Sequence, residues 1–184
     1  PPIFLTFFSA SSCDITTFPY TEGFETEIPC WTLTSGFGGI IDNPDYAYMA
    51  HSGSQFFIAN YDDYADVDEW AILPPVVMPA DASNMVFGYY VRVTEYQGII
   101  SSYEIRVSTT GINPSDFNTV IKRSGDVTED YVYEAASLAQ FAGQTIRIAI
   151  HSTSPMGSDV TFFDDITIGQ GTPTGIDNIN DINL

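Results

Sequence analysis

Apolar residues recur at every second position through much of this chain, and a period of two belongs to strands rather than helices. The stretch NMVFGYYVRV puts Phe87, Tyr89, Val91 and Val93 on one face, and SYEIRVS does the same with Tyr103, Ile105 and Val107. TIRIAIHS sends Ile146, Ile148 and Ile150 one way and Arg147 and His151 the other, while VTFFDDITI reads as a final strand. Breakers fall between these runs. Pro74, Pro75 and Pro79 close one strand, Gly98 sits in a turn, and TTGINPSDF forms a loop. Helical propensity is confined to EAASLAQFA, residues 134 to 142, which stops at Gly143 and predicts a single turn or irregular crossover. Half-buried strands in this number need two packed sheets, so the fold class is all-β: a two-sheet antiparallel β-sandwich.

A length of 184 residues suits one domain, and 44% hydrophobic content with 13 Phe, 11 Tyr and 2 Trp excludes disorder from low hydrophobicity. Charge narrows the partners. With 24 acidic against 5 basic residues the formal net charge is -19, which repels nucleic acid and anionic membranes. Arg92, Arg106, Lys122, Arg123 and Arg147 are too scattered to form a basic stripe. Clustered carboxylates instead invite a divalent cation, and calcium outranks zinc because only His51, His151, Cys13 and Cys30 could serve the softer metal. Those two cysteines, 17 positions apart, are expected to form a disulfide in an oxidising compartment, the alternative being two buried thiols. No stretch of about 18 apolar residues is present to span a membrane. The start, PPIFLTFFSASSC, lacks a basic region and reads as an extended lead-in over residues 1 to 17.

Motifs for catalysis are missing. There is no G-x-S-x-G elbow, no H-E-x-x-H and no P-loop, and GFGG at 36 to 39 reads as a loop. The expectation is therefore a chain that is not an enzyme. Two acidic groups stand out. YDDYADVDEW holds Asp62, Asp63, Asp66, Asp68 and Glu69, either as calcium ligands, with Asp63 and Asp68 as candidates, or as a solvated loop without EF-hand spacing. In FFDDITI, alternation sends Asp164 and Asp165 to opposite faces, so one carboxylate points inward and needs Arg147, hydrogen bonds or a metal.

FPYTEGFETEIPCW, HSGSQFF, DEWAILPPV, YEIRVSTTG, AGQTIRIAIHS and TFFDDITIG follow one another in an order that resembles the cleaved-adhesin or choice-of-anchor J domain of secreted Bacteroidetes proteins. That family includes the adhesin modules attached to gingipain proteases and is similar in shape to MAM and carbohydrate-binding jelly rolls. The resemblance spans residues 18 to 169 and implies a jelly roll with structural calcium where the first strand, an SG turn and the last strand meet. Carried onto this sequence, the metal ligands would be Glu25, carbonyls around Ser52, Gly53 and Ser54, and Asp165 or Asp164. The tail, residues 170 to 184, is similar to linkers that lead to the C-terminal sorting domain of type IX secretion. It implies export to the cell surface as part of a larger multidomain protein.

Three functions remain open. A binding or adhesion module would recognise a glycan or an extracellular protein, with Tyr46, Tyr48, Tyr61 and Tyr64 stacking on sugar rings. An accessory domain would only stabilise a catalytic neighbour. A glycoside hydrolase would need two carboxylates converging in a cleft, one with a raised pKa.

Overall fold

The computed structural model describes residues 13 to 174 apart from Phe37 and Glu129. Its strands are β1 (Tyr20–Glu22), β2 (Thr32–Leu33), β3 (Gly39–Ile41), β4 (Phe56–Ala59), β5 (Glu69–Ile72), β6 (Val76–Val77) and β7 (Met85–Arg92). They continue with β8 (Glu95–Tyr96), β9 (Ile99–Ile100), β10 (Tyr103–Ser108), β11 (Thr119–Arg123), β12 (Val132–Ser137), β13 (Thr145–Ser152) and β14 (Thr161–Gln170). Short 3-10 turns occupy Pro44–Met49, Pro114–Asp116 and Ala139–Phe141.

Two antiparallel sheets face each other. One runs β12-β7-β14-β4-β3 with β1 added on β14, the other β11-β10-β13-β5-β2 with β6 added on β13, and β8-β9 forms a separate hairpin. This is the two-sheet β-sandwich expected from the alternation, of jelly-roll type. The inward faces hold the residues that the period of two selects. Phe87, Tyr89 and Val91 of the first sheet with Val93 just beyond β7, and Tyr103, Ile105, Val107, Ile146, Ile148 and Ile150 of the second, are at most 1% exposed. Burying such side chains contributes on the order of 1.5–3 kcal/mol each.

The outer face of the second sheet carries a smaller cluster. Trp70 stacks on His151 at 3.8 Å, and His151 Nε2 meets Asp68 Oδ1 at 2.7 Å. Beside them Glu104 pairs with Arg106 at 2.6 Å and Arg123 at 3.0 Å. Burial pulls the Glu104 carboxyl up, but the hydrogen bond and charge of Arg106, then Arg123 and His151, outweigh it and hold the group below its ordinary value.

Three expectations need correction. Residues 132 to 137 are strand, and only 139 to 141 make a helical turn, because Ala135 and Ala136 fit opposite Gly88 and Phe87 of β7. Second, the sandwich extends past 18 to 169. Ile15 is buried, with its N–H on Pro75 O at 2.7 Å, and Gly171 N donates to Asn84 O and Thr174 N to Ala135 O, each at 2.9 Å. The lead-in up to residue 12 and the linker from 175 onward lie outside the described residues. Third, Asp164 and Asp165 do not alternate. The β7 register jumps between Asp164 and Thr167, and Asp165 takes a left-handed φ of 46°. This is a bulge, and it turns both carboxylates toward one neighbour.

Candidate functional site

β14 keeps β7 along one edge but changes partner along the other. β4 pairs with Thr161 to Phe163, and β1 pairs with Ile166 to Ile168. Both partners run antiparallel to β14, so the exit of β1 and the start of β4 meet end to end beside the Asp164–Asp165 bulge. The segments 23 to 25 and 51 to 55 meet there.

Each carboxylate at this junction is held by the SG turn. Asp164 Oδ2 accepts the amides of His51 at 2.8 Å and Ser52 at 3.2 Å, and its Oδ1 accepts Asp165 N at 2.8 Å. Asp165 Oδ1 accepts Ser52 Oγ at 2.8 Å, and its Oδ2 lies 2.7 Å from His51 Nδ1. Glu25 completes the junction from the N-terminal side. Its Oε1 accepts Gln55 N at 2.8 Å and Ser54 N at 2.9 Å, and its Oε2 accepts Ser54 Oγ at 3.0 Å. Arg147, offered as a partner for the inward aspartate, lies on β13 of the other sheet opposite Ser108. Backbone amides satisfy Asp164 instead.

Local conformation explains this placement. Phe24 adopts φ 58°, a left-handed state that a bulky residue enters at a cost, and its ring is fully buried, stacked on Phe57 at 4.9 Å. Gly53 has φ 61°, and a Cβ there would fall 2.3 Å from Glu25 Oε1. Only glycine lets the carboxylate reach the Ser54 and Gln55 amides.

The electrostatics differ between the two sides. The amides of Gln55 and Ser54 hold the Glu25 carboxyl below its ordinary value. Burial pushes the Asp164 carboxyl up to about 6, against the pull of the Ser52, Asp165 and His51 amides and with the Asp165 charge adding to the rise. His51 stacks on Tyr90 at 3.6 Å. The Tyr131 hydroxyl nearby is buried without a hydrogen-bond partner among the described residues, and burial, then the charge of Asp164, raises its pKa. Asp164 itself is fully buried, so its raised pKa presents no acid to a substrate.

The acidic loop does not join this group. Asp62 Oδ1 accepts Tyr64 N at 2.7 Å, Asp66 Oδ1 accepts Met156 N at 2.9 Å, Asp68 serves Trp70 and His151, and Glu69 accepts the Thr34 hydroxyl. Asp63 and Asp68, expected together as metal ligands, therefore do different things. Asp68 braces the Trp70–His151 stack, and Asp63 lines a cleft of about 390 Å³ with Tyr61, Tyr96, Ser158 and Asp159. Among the described residues no three His, Cys, Asp or Glu side chains form a group placed to hold a metal by themselves. Any cation at the Glu25 junction would need hydroxyl or carbonyl oxygens as well.

The four tyrosines proposed for stacking separate too. Tyr46 and Tyr48 sit on the Pro44–Met49 turn, and Tyr48 and Tyr64 stand 82% and 91% exposed. Of the four, Tyr61 alone lines the cleft. Tyr96, which lines the cleft with it, was not among the sequence candidates, although its place just before Gln97-Gly98 was a signal for a hairpin tip; both turn residues adopt positive φ. Cys13 and Cys30 form the expected disulfide. No helix among the described residues is long and apolar enough to cross a membrane.

No family model and no curated protein matches this sequence. Solved structures share its fold. The K1 cleaved adhesin domain of Lys-gingipain from Porphyromonas gingivalis W83 superposes with a TM-score of 0.65 at 15% identity, covering 85% of this chain and 100% of that one. TmCBM61, solved in complex with β-1,4-galactotriose, gives 0.56 at 17% identity over 81% and 94% of the two chains. The C-terminal family 22 carbohydrate binding module of Clostridium thermocellum Xyn10B gives 0.56 at 12% identity over 85% and 96%. The fold implied by the motif order is thus the fold observed, shared with adhesin and carbohydrate-binding modules.

Proposed function

We propose that this chain is an extracellular glycan-binding module whose sandwich is clamped by structural calcium. The observation that carries the calcium reading is the convergence of Glu25, the Ser52–Ser54 turn and Asp164–Asp165, drawn from three distant segments onto one junction. The donors are hard oxygens apart from His51 Nδ1, and the glycine cradle under Glu25 keeps that carboxylate at the turn, so the residues fit calcium. Calcium would draw on the carboxylates of Glu25 and of Asp165 or Asp164, the Ser52 hydroxyl and carbonyls of the turn. Bound there, it would offset the repulsion of adjacent carboxylates and tie the N-terminal strand to the last one.

Glycan binding is supported by fold kinship with carbohydrate-binding modules and by tyrosines exposed beyond any packing role. The disulfide supports an oxidising, extracellular setting. Thermal unfolding in about 1 mM calcium and in excess EDTA tests the clamp. Saturation near 100 Kd adds about 2.7 kcal/mol, or roughly 5–10 °C for a chain of this size. Equal melting temperatures in the two buffers would remove the calcium. Retardation in native gels cast with neutral polysaccharides tests the glycan reading, and no retardation by any of them would overturn it.

A further inference from the structure

We infer that the cleft between Tyr61 and Tyr96 is the place where this module holds a neutral sugar ring. The inference rests on the glycan-binding reading and assigns it a site at one end of the sandwich, away from the Glu25 junction. Three connections build the cleft: the β4–β5 loop with Tyr61 and Asp63, the β8–β9 hairpin with Tyr96, and the β13–β14 loop with Ser158 and Asp159.

The walls are fixed before any ligand arrives. Gly157 N donates to Asp62 O at 2.8 Å, Met156 N to Asp66 Oδ1 at 2.9 Å and Val67 N to Ser154 O at 2.8 Å, which binds the first loop to the third. The Thr94 hydroxyl donates to Val160 O, and Thr161 Oγ1 to Ser101 Oγ at 2.9 Å, which fastens the base of the hairpin to the same loop. Gln97 and Gly98, at φ 52° and 83°, close the hairpin in the tight turn that suits strand twist and so set the direction of Tyr96. A preformed wall of this kind lowers the ordering cost of binding.

What the walls present is specific in kind. Tyr61 and Tyr96 are 43% and 56% exposed, and neither ring stacks on another aromatic ring of the described chain. The Asp63 carboxylate meets no partner among the described residues, and Asp159, which also lines the cleft, accepts Val160 N on one carboxylate oxygen at 2.8 Å. Aromatic faces accept the C–H side of a pyranose, and carboxylate oxygens accept its hydroxyls. A volume of about 390 Å³ lies within the range of roughly 300–1,000 Å³ typical of small-ligand sites. No cationic side chain lines the cleft, and the chain carries a formal charge of -19, so uronates and sulfated sugars are repelled.

The test is affinity electrophoresis of the full chain through gels containing β-galactan, xylan, mannan or β-glucan, with polygalacturonate as the anionic control. At least one neutral polymer should retard the parent protein, and polygalacturonate should not. Tyr61→Ala, Tyr96→Ala and Asp63→Asn should each weaken that retardation about tenfold. Tyr48→Ala and Tyr64→Ala, more exposed still but outside the cleft, should leave it intact, with thermal unfolding confirming that every variant folds. Retardation that survives both Tyr61→Ala and Tyr96→Ala would overturn this site and leave glycan binding standing elsewhere on the surface. Preferential retardation by polygalacturonate would overturn the neutral-sugar assignment, and a parent protein unmoved by every neutral polymer would overturn site and glycan reading together.

Discussion

Gly53→Ala is the sharpest probe of the junction, because one methyl group meets two separate obstacles there. The first is the backbone, since φ 61° is left-handed and a residue with a Cβ pays about 1–2 kcal/mol to remain in it. The second is Glu25. A Cβ 2.3 Å from Oε1 forces the carboxylate to retreat by about 1 Å, away from the Ser54 and Gln55 amides. Glu25 is exposed, so these charge-assisted bonds are discounted for solvent screening to about 1 kcal/mol together. The reduced entropy of the unfolded chain returns about 0.4–1 kcal/mol. The net loss is about 2 kcal/mol, or roughly 4–8 °C. Urea unfolding in EDTA reads it without any contribution from metal. Glu25→Ala removes the second obstacle and leaves the first, so the double variant should lose about 1 kcal/mol less than the sum of the singles. A Gly53→Ala protein within about 0.5 kcal/mol of the parent, or strict additivity with Glu25→Ala, would refute the account.

Replacing Cys13 and Cys30 together by Ser should cost about 3 kcal/mol, the loop-closure entropy of a 17-residue separation, seen as a melting temperature lower by roughly 6–12 °C. An unchanged melting temperature would mean that the bond constrains nothing in the unfolded chain. Glu104→Gln should destabilise by about 1–3 kcal/mol at pH 7. A carboxyl held below its ordinary value stabilises above the unfolded pKa and loses that contribution as pH falls through the folded one, so the gap between parent and variant should narrow as the pH drops below the ordinary glutamate range. A gap that stays constant as pH is lowered from 7 to about 2 would count against the Arg106 and Arg123 pairing as its source. Trp70→Phe, which removes the indole N–H to Asp68 and much of the stack on His151, should cost about 1–3 kcal/mol in urea unfolding. No loss would make the outer cluster of the second sheet incidental.

The sandwich was legible wherever a strand is regular and half-buried, as in Phe87, Tyr89 and Val91, because the core selects one face and the period of two reports it. It was illegible where that period breaks. The bulge at Asp164–Asp165 adds a residue to β14 without a composition signal, so alternation assigned the two carboxylates to opposite faces when both meet the SG turn. Residues 134 to 137 show the opposite failure, in which local helical propensity yields to a ladder with β7 that sequence position cannot disclose. The meeting of Glu25, Ser52–Ser54 and Asp164–Asp165 came from family resemblance rather than from the residues, since nothing local to any of the three segments points to the others. The brace of Asp68, Trp70, His151 and Glu104 left only a faint trace, polar residues on the outward positions of β10 and β13.

The Cys13–Cys30 bond also decides how the module would carry a pull. Tension applied to the chain ahead of Cys13 is shared through the sulfur bridge with Cys30, so that residues 16 to 29 are not pulled in series. β1, which would otherwise be peeled from β14 one hydrogen bond at a time, lies inside the shielded loop together with Glu25. The first noncovalent contacts to feel the load lie two residues from either sulfur: Ile15, hydrogen-bonded to Pro75 and Val77, and β2, on the edge of the opposite sheet, paired with β5 through Thr32 and Leu33. The three-segment junction is therefore not the first to be loaded, and a module strained at its N-terminal end gives way first at Ile15 and β2, both on the sheet that does not hold the junction.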